Sequence, residues 1–174
     1  MENGQVKRLK VFISYSWDSE VHKEWVLKLA DDLGKVYGIY VFLDRYDLQA
    51  GKDMTLFMVK SLADADKVLV ILTPNYKRKA EGSEGGAGFE HSIISHELYK
   101  LQSRNNKYIP VLRIGDGDQS AQGYLNALIY HEMINDNQYE SDLDVLARRI
   151  YDQREIERPP LGGIPDFGST PTKE

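Results

Sequence analysis

Hydrophobic positions along the chain switch between two periods. Short runs rich in branched aliphatic residues, such as Val11-Phe12-Ile13 and Val68-Leu69-Val70-Ile71-Leu72, alternate with longer stretches in which apolar residues recur every three or four positions. That alternation predicts βαβ units and a parallel sheet, because a strand covered by helices on both sides has no polar face. Strands are expected at residues 9–14, 40–43, 67–72, 108–114 and, short, near 128–133. Helices are expected at 20–36, 54–64, 89–103 and 139–153. In the first helix Val21, Trp25, Leu29 and Leu33, with Val26 and Ala30, form the inward face, Asp18 or Ser19 caps the start, and Gly38 marks the end. In the second, Phe57, Met58, Ser61 and Leu62 form the inner stripe. Between them lies a polar loop, DRYDLQAGKD, at 44–53. Pro74 ends the third strand, and a long glycine-rich loop is expected at 75–88. A further loop, GDGDQSAQG, is read at 115–123.

These elements fit an α/β fold, the flavodoxin-like doubly wound five-stranded parallel sheet with helices on both faces and strand order 2-1-3-4-5. In such sheets ligands bind at the carboxyl ends of the strands. The loops following Ser14, Leu43, Leu72 and Ile114 therefore belong to one rim. Residues 1–8 read as an extension and 9–154 as one domain. Residues 155–174 carry four of the six prolines and read as a flexible tail or a linker to a further domain, expected to be a sensor.

Composition narrows the chemistry. With 22 Lys+Arg against 27 Asp+Glu the formal charge is −5, which leaves no electrostatic footprint for direct contact with nucleic acid or an anionic membrane. There are no cysteines, so disulfides, thiol nucleophiles and thiolate metal sites are excluded, and a cytoplasmic setting is expected. No apolar run approaches the length of a membrane span, and the N-terminus has no signal-peptide pattern. The four histidines (His22, His91, His96 and His131) show no metal-ligand spacing; His91 and His96, five apart, fall on different faces of a helix. No resident cofactor or metal is expected.

The segment VFISYSWDSE (Val11 to Glu20) resembles the first conserved box of Toll/interleukin receptor (TIR) domains and of their SEFIR relatives. VFLDRYDLQAGKD (Val41 to Asp53) resembles the second box, whose loop is called the BB loop. SLADADKVLVILTPNY (Ser61 to Tyr76) and ISHELYK (Ile94 to Lys100) resemble the next strand and the helix after it. Four such segments in order cover nearly all of residues 9–153. Many bacterial TIR domains cleave NAD+, with a glutamate on the helix after the third strand beside the nicotinamide ribose. The resemblance places that glutamate at Glu97, where the family often has Trp four residues earlier and this chain has Ile93. It also implies self-association through the BB loop, a bacterial defence or signalling role, and NAD+ as substrate rather than cofactor.

The chemistry suits one carboxylate. Breaking the nicotinamide–ribose bond passes through a state resembling an oxocarbenium ion, and the leaving group already carries positive charge, so no general acid is required. Glu97 is the catalytic candidate, against the ordinary reading of a solvated mid-helix Glu. Glu90, seven residues earlier on the same face, is its rival and otherwise a first-turn residue favoured by the helix dipole. Substrate-binding candidates on the rim are Ser14, Tyr15 (ring stacking), Ser16 (phosphate or ribose), Asp44 and Arg45 (pyrophosphate); the alternatives are turn formation and solvated charge. Trp17 reads as a packing residue. Asp47, Leu48, Gly51 and Asp53 shape the BB loop and its assembly surface, Gly51 by permitting positive φ. The EGSEGGAG stretch (Glu81 to Gly88) lacks phosphate-loop spacing and reads as a lid. Two other functions remain open: a non-catalytic interaction module docking through the BB loop, and a nucleotide-binding domain without hydrolysis.

Overall fold

The computed structural model describes residues 7–82, 106–121 and 128–168. Five strands form one sheet in the order β2-β1-β3-β4-β5, with every neighbouring pair parallel. They are β1 (Lys10–Ser14), β2 (Tyr40–Phe42), β3 (Lys67–Leu72), β4 (Tyr108–Leu112) and β5 (His131–Glu132). β3 is central and buried at all six positions, as its unbroken apolar run requires. Its one charged residue, Lys67, extends Nζ to a carboxylate oxygen of Asp152 at 2.9 Å and to the carbonyl of Asn106.

Helix α1 (Glu20–Tyr37) starts at Ser19, whose hydroxyl accepts from the backbone N–H of His22. It ends at Gly38, whose φ of 69° is the left-handed conformation that glycine adopts without a Cβ penalty. Trp25, Val26, Leu29, Ala30 and Leu33 pack against one face of the sheet with Ile13, Leu69 and Val111. Val21, expected on that face, is 79% exposed, and His22 is buried in its place. The inward stripe therefore sits one residue further along at its first turn. On the other face α3 (Met54–Asp64) lays Met58 and Leu62 against Phe12, Val68 and Val70, with Phe57 packed at the edge. The last helix, α6 (Tyr139–Ile150), follows a 3-10 turn at Asp136–Gln138 and returns to the α1 face.

Three expected loops contain helix. The 44–53 loop opens with a single turn, α2 (Asp44–Asp47). The 75–88 segment opens with α4 (Pro74–Gly82). Proline ends β3 and equally begins a helix, because its missing N–H is not needed in the first turn and its φ is already helical. The Thr73 hydroxyl accepts from the N–H of Tyr76, which completes that start. The 115–123 loop holds α5 (Gly117–Ser120), capped by Asp116. β4 and β5 are shorter than expected, β5 having two paired residues. The expected helix at 89–103 lies outside the described residues.

Candidate functional site

The chain leaves β1 toward β2 on one side and later enters β3 on the other, so the strand order reverses between β1 and β3. That switch point, at the carboxyl ends of the strands, is where open α/β sheets form a crevice. Three exits converge there: the loop after β1, Asp44 at the start of α2, and the Thr73–Tyr76 turn that starts α4.

Each side chain of the first exit has a defined partner. The Ser14 hydroxyl, buried at the end of β1, lies 2.9 Å from the hydroxyl of Tyr76. Ser16 is buried, donates to a carboxylate oxygen of Asp18, and lies 3.3 Å from the Thr73 hydroxyl. The Asn75 side-chain amide donates to the same Asp18 oxygen at 2.9 Å. The loop after β1 is thereby tied across the switch point to the turn after β3 by hydroxyls, one amide and one carboxylate.

Asp44 ties the same loop to the other side. Its Oδ1 accepts from the Tyr15 phenol at 2.8 Å and from the N–H of Arg45 at 2.8 Å, and its Oδ2 accepts from the Trp17 indole at 2.9 Å. Burial first, and the neighbouring Asp44 charge second, push the Tyr15 phenol well above its ordinary range, so it stays a neutral donor. Tyr15 belongs to the core beside His22, with ring centroids 6.2 Å apart. Its ring is packed rather than presented for stacking on a ligand. Trp17 is half exposed, with the Lys23 ammonium 5.1 Å from its ring centroid.

Arg45 points away from the crevice, toward α1. Its guanidinium pairs with Glu24 at 2.9 Å, a bond that holds it even more firmly protonated. Of the BB-loop residues, Asp47 accepts from the N–H of Leu43 at 3.1 Å. Leu48 ends α2, its N–H bonded to the carbonyl of Asp44. Gly51 is exposed with φ 87°, and Asp53 caps α3 by accepting from the N–H of Leu56. Glu97, Glu90, His91 and His96 lie outside the described residues, as do Glu84 to Gly88 of the glycine-rich stretch.

Structure thus gathers Ser14, Ser16 and, through its phenol and carboxylate, the Tyr15–Asp44 pair; Arg45 stands apart. Thr73, Asn75 and Tyr76 join the crevice without having been candidates. The signal for them was present: Thr-Pro-Asn-Tyr is a helix start placed directly after a buried strand. Among the described residues there is no cluster of three or more His, Asp or Glu able to hold a metal ion, and no helix long and apolar enough to cross a membrane.

The family model for the TIR domain matches residues 11–147. The chain belongs to the TIR domain family. A solved prokaryotic SEFIR domain is 38% identical, with a TM-score of 0.67 over 82% of this chain and 99% of that one. The TIR domains of the activated Roq1 resistosome, which directly recognises the pathogen effector XopQ, are 18% identical with a TM-score of 0.59 over 83% of this chain and 98% of theirs. The SEFIR domain of the interleukin-17 receptor B is 16% identical with a TM-score of 0.52, over 82% and 96%. At those lower identities the likeness is one of fold. No curated protein matches the chain. In this TIR domain Ser14, Ser16, Thr73 and Tyr76 are buried at the β1 and β3 exits and bonded to one another, with the Asp18 and Asp44 carboxylates beside them, so they form a fixed wall at the switch point.

Proposed function

We propose that this TIR domain cleaves NAD+ at the nicotinamide–ribose bond, releasing nicotinamide and ADP-ribose or its cyclic form, and does so when several copies assemble in bacterial defence signalling. The observation that carries the reading is membership of the TIR family, with the exits of β1 and β3 meeting at the switch point of its sheet. Ser14, Ser16, Thr73 and Tyr76, buried and bonded to one another, hold the wall of the proposed site rigid rather than contact the sugar. Glu97 is assigned the carboxylate that orients the ribose and offsets charge developing on the sugar. A carboxylate so aimed contributes a few kcal/mol, roughly 10²- to 10³-fold in rate.

The BB loop is the proposed contact between copies. Ala50, Gly51 and Lys52 are exposed at its tip, and its shape is held from within by Asp47 and Asp53. Activity should therefore be low in dilute protein and rise on clustering.

The test is nicotinamide release from NAD+ by protein clustered on a multivalent support, with Glu97→Ala alongside. Release by the parent and at least a hundredfold less by Glu97→Ala supports the reading. No release from clustered, folded protein sinks it, and undiminished release by Glu97→Ala moves the carboxylate to Glu90. A second reading is a non-catalytic docking module. The similarity to a prokaryotic SEFIR domain favours it, as does the engagement of Tyr15 and Arg45 within the fold. It predicts self-association that depends on the BB loop with no NAD+ turnover at any density.

A further inference from the structure

The far edge of the sheet is unfinished. β5 pairs with β4 only at Val111–His131 and Leu112–Glu132, so toward the amino end of β4 the two segments part. A groove of about 600 Å³ opens there, with Tyr108, Pro110, Ile129, Tyr130 and Val145 among its lining residues and Arg149 at its border. Ile129 is 98% exposed. The groove lies at the opposite end of the strands from the crevice, because Tyr108 begins β4.

The tail carries a matching ridge. Leu161, Ile164 and Phe167 are 88%, 98% and 91% exposed, and they recur every third residue among Pro159, Pro160 and Pro165. Three residues per turn is the period of the polyproline II helix, so in that conformation the three side chains line one face about 19 Å long at ~3.1 Å per residue. Proline-rich segments of this kind seat on apolar grooves that carry an aromatic ring, here the half-buried Tyr130, while Tyr108 lies beneath in the core. Asp166, between Ile164 and Phe167, complements Arg149, whose contacts with Asp152 and Asn106 are long and exposed at 3.2 and 3.3 Å.

We propose that two copies of this chain exchange tails, residues 159–167 of each lying in the β4–β5 groove of the other to form a two-fold dimer. The exchange is between copies because Leu161, Ile164 and Phe167 stay exposed on the chain that carries them, as does Ile129, so the tail does not fill its own groove. Pro159-Pro160 stiffens the start of the tail, and a residue before proline is held extended. Within the described tail the N–H of Gly168 donates to Asp166, a bond internal to the tail. A reciprocal contact closes on itself, so it yields dimers rather than filaments. It leaves the crevice and the BB loop uncovered.

Sedimentation equilibrium of the full chain, from low to high micromolar, tests this. The parent should dimerise weakly, with a Kd of roughly 10–100 µM, in keeping with three small apolar anchors. Ile164→Asp/Phe167→Asp in the tail and Ile129→Asp in the groove should each raise Kd at least tenfold while circular dichroism stays unchanged. These sites are exposed, so folding is not at stake. Mixing the two variants should restore association in part, since one intact tail then meets one intact groove. A parent that stays monomeric throughout the range overturns the proposal. So does dimerisation indifferent to both variants, and so does a loss produced by Leu48→Asp in the BB loop but not by the tail pair.

Discussion

Two neighbouring loops on the same rim are built in opposite ways. The exit from β1 places Ser14, Tyr15 and Ser16 almost wholly out of solvent and gives each hydroxyl a partner on another segment. From Asp47 to Asp53 the BB loop, one strand over, leaves Ala50 to Asp53 in solvent and satisfies its polar groups locally, at a helix cap and on neighbouring backbone, while the turn before it reaches α1 through Arg45–Glu24 and Tyr46–Asp31. Both read as polar loops, yet one is a wall and the other a presented surface. The difference lies in the direction of the bonds. Bonds that cross between segments fix a crevice, and bonds that close within a loop fix only that loop's shape. Asp44 is where the two meet, because its carboxylate holds Tyr15 and Trp17 of the wall while its backbone begins the turn that leads into the BB loop.

Breaking that meeting point should have the largest effect. Asp44→Ala leaves the buried Tyr15 phenol and the Trp17 indole without their acceptor. Losing two hydrogen bonds to a charged group, with one donor stranded in the core, should cost about 2–4 kcal/mol. Urea denaturation should show it as a lower midpoint. Tyr15→Phe alone should cost about 1–2 kcal/mol, since the donor leaves with the bond. In the double variant the two losses should fall short of adding, because both delete the same contact. Full additivity would mean that Asp44 does not hold Tyr15.

The wall also rests on a group with no partner. His22 is buried under Tyr15, its ring parallel to that of Trp25, and neither of its nitrogens has a hydrogen-bond partner among the described residues. Burial pushes its pKa down, and the Arg113 guanidinium, which lies 4.4 Å from the centroid of Trp25, pushes the same way against the opposing pull of Asp18. The sign follows. Above the ordinary histidine value of about 6.5 neither state holds the proton, and the fold keeps its full stability. Below it the unfolded chain takes up a proton that folded His22 refuses, so stability falls by up to about 1.4 kcal/mol per pH unit until the lowered native pKa is reached. His131, also pushed down by burial, contributes in the same direction. Denaturation at pH 7.5 and pH 5.5 should show the drop, and His22→Phe should remove about half of it while keeping the stacked ring. An unchanged slope in His22→Phe would show that His22 is protonated as readily in the fold as outside it.

What could be read from the sequence follows the same division. β1, α3 and β3 were legible to within a residue, because their burial patterns are complete in the chain itself: an unbroken apolar run, or a stripe of period near four between clear caps. Val21 misled because valine is apolar and stands four residues before Trp25, yet His22, three residues before Trp25, is the one turned inside, where its ring stacks on Trp25. Helix α4 was hidden because proline signals the end of a strand and the start of a helix with the same residue. In the crevice, Ser14 and Ser16 were legible from their place at the end of a strand. The partners were not, since Thr73, Asn75 and Tyr76 are some sixty residues away and meet the first loop only through the parallel pairing of β1 with β3. Arg45 shows the converse. Its cation suits a pyrophosphate, but Glu24 on α1 claims it across a distance that sequence spacing does not reveal.

The smallest expected effect on stability probes the presented loop. Gly51 has φ 87°, and a Cβ added there would meet nothing within 4 Å. Gly51→Ala therefore has no steric collision with the rest of the fold to absorb. Its cost is the backbone strain of holding an L-residue in the left-handed region, about 1 kcal/mol. Because the bonds around this tip, from Asp47 to Asp53, close within the loop, the strain should stay local: the unfolding midpoint should move slightly, and the Trp17 fluorescence that reports the wall should not change. Any relaxation of φ redirects the exposed tip, so the proposed self-association through the BB loop, and the proposed NAD+ turnover that depends on it, should fall by far more than the stability does. A drop in stability of several kcal/mol, or a changed Trp17 environment, would instead show that strain at the BB loop is transmitted through Asp44, and that wall and surface act as one unit.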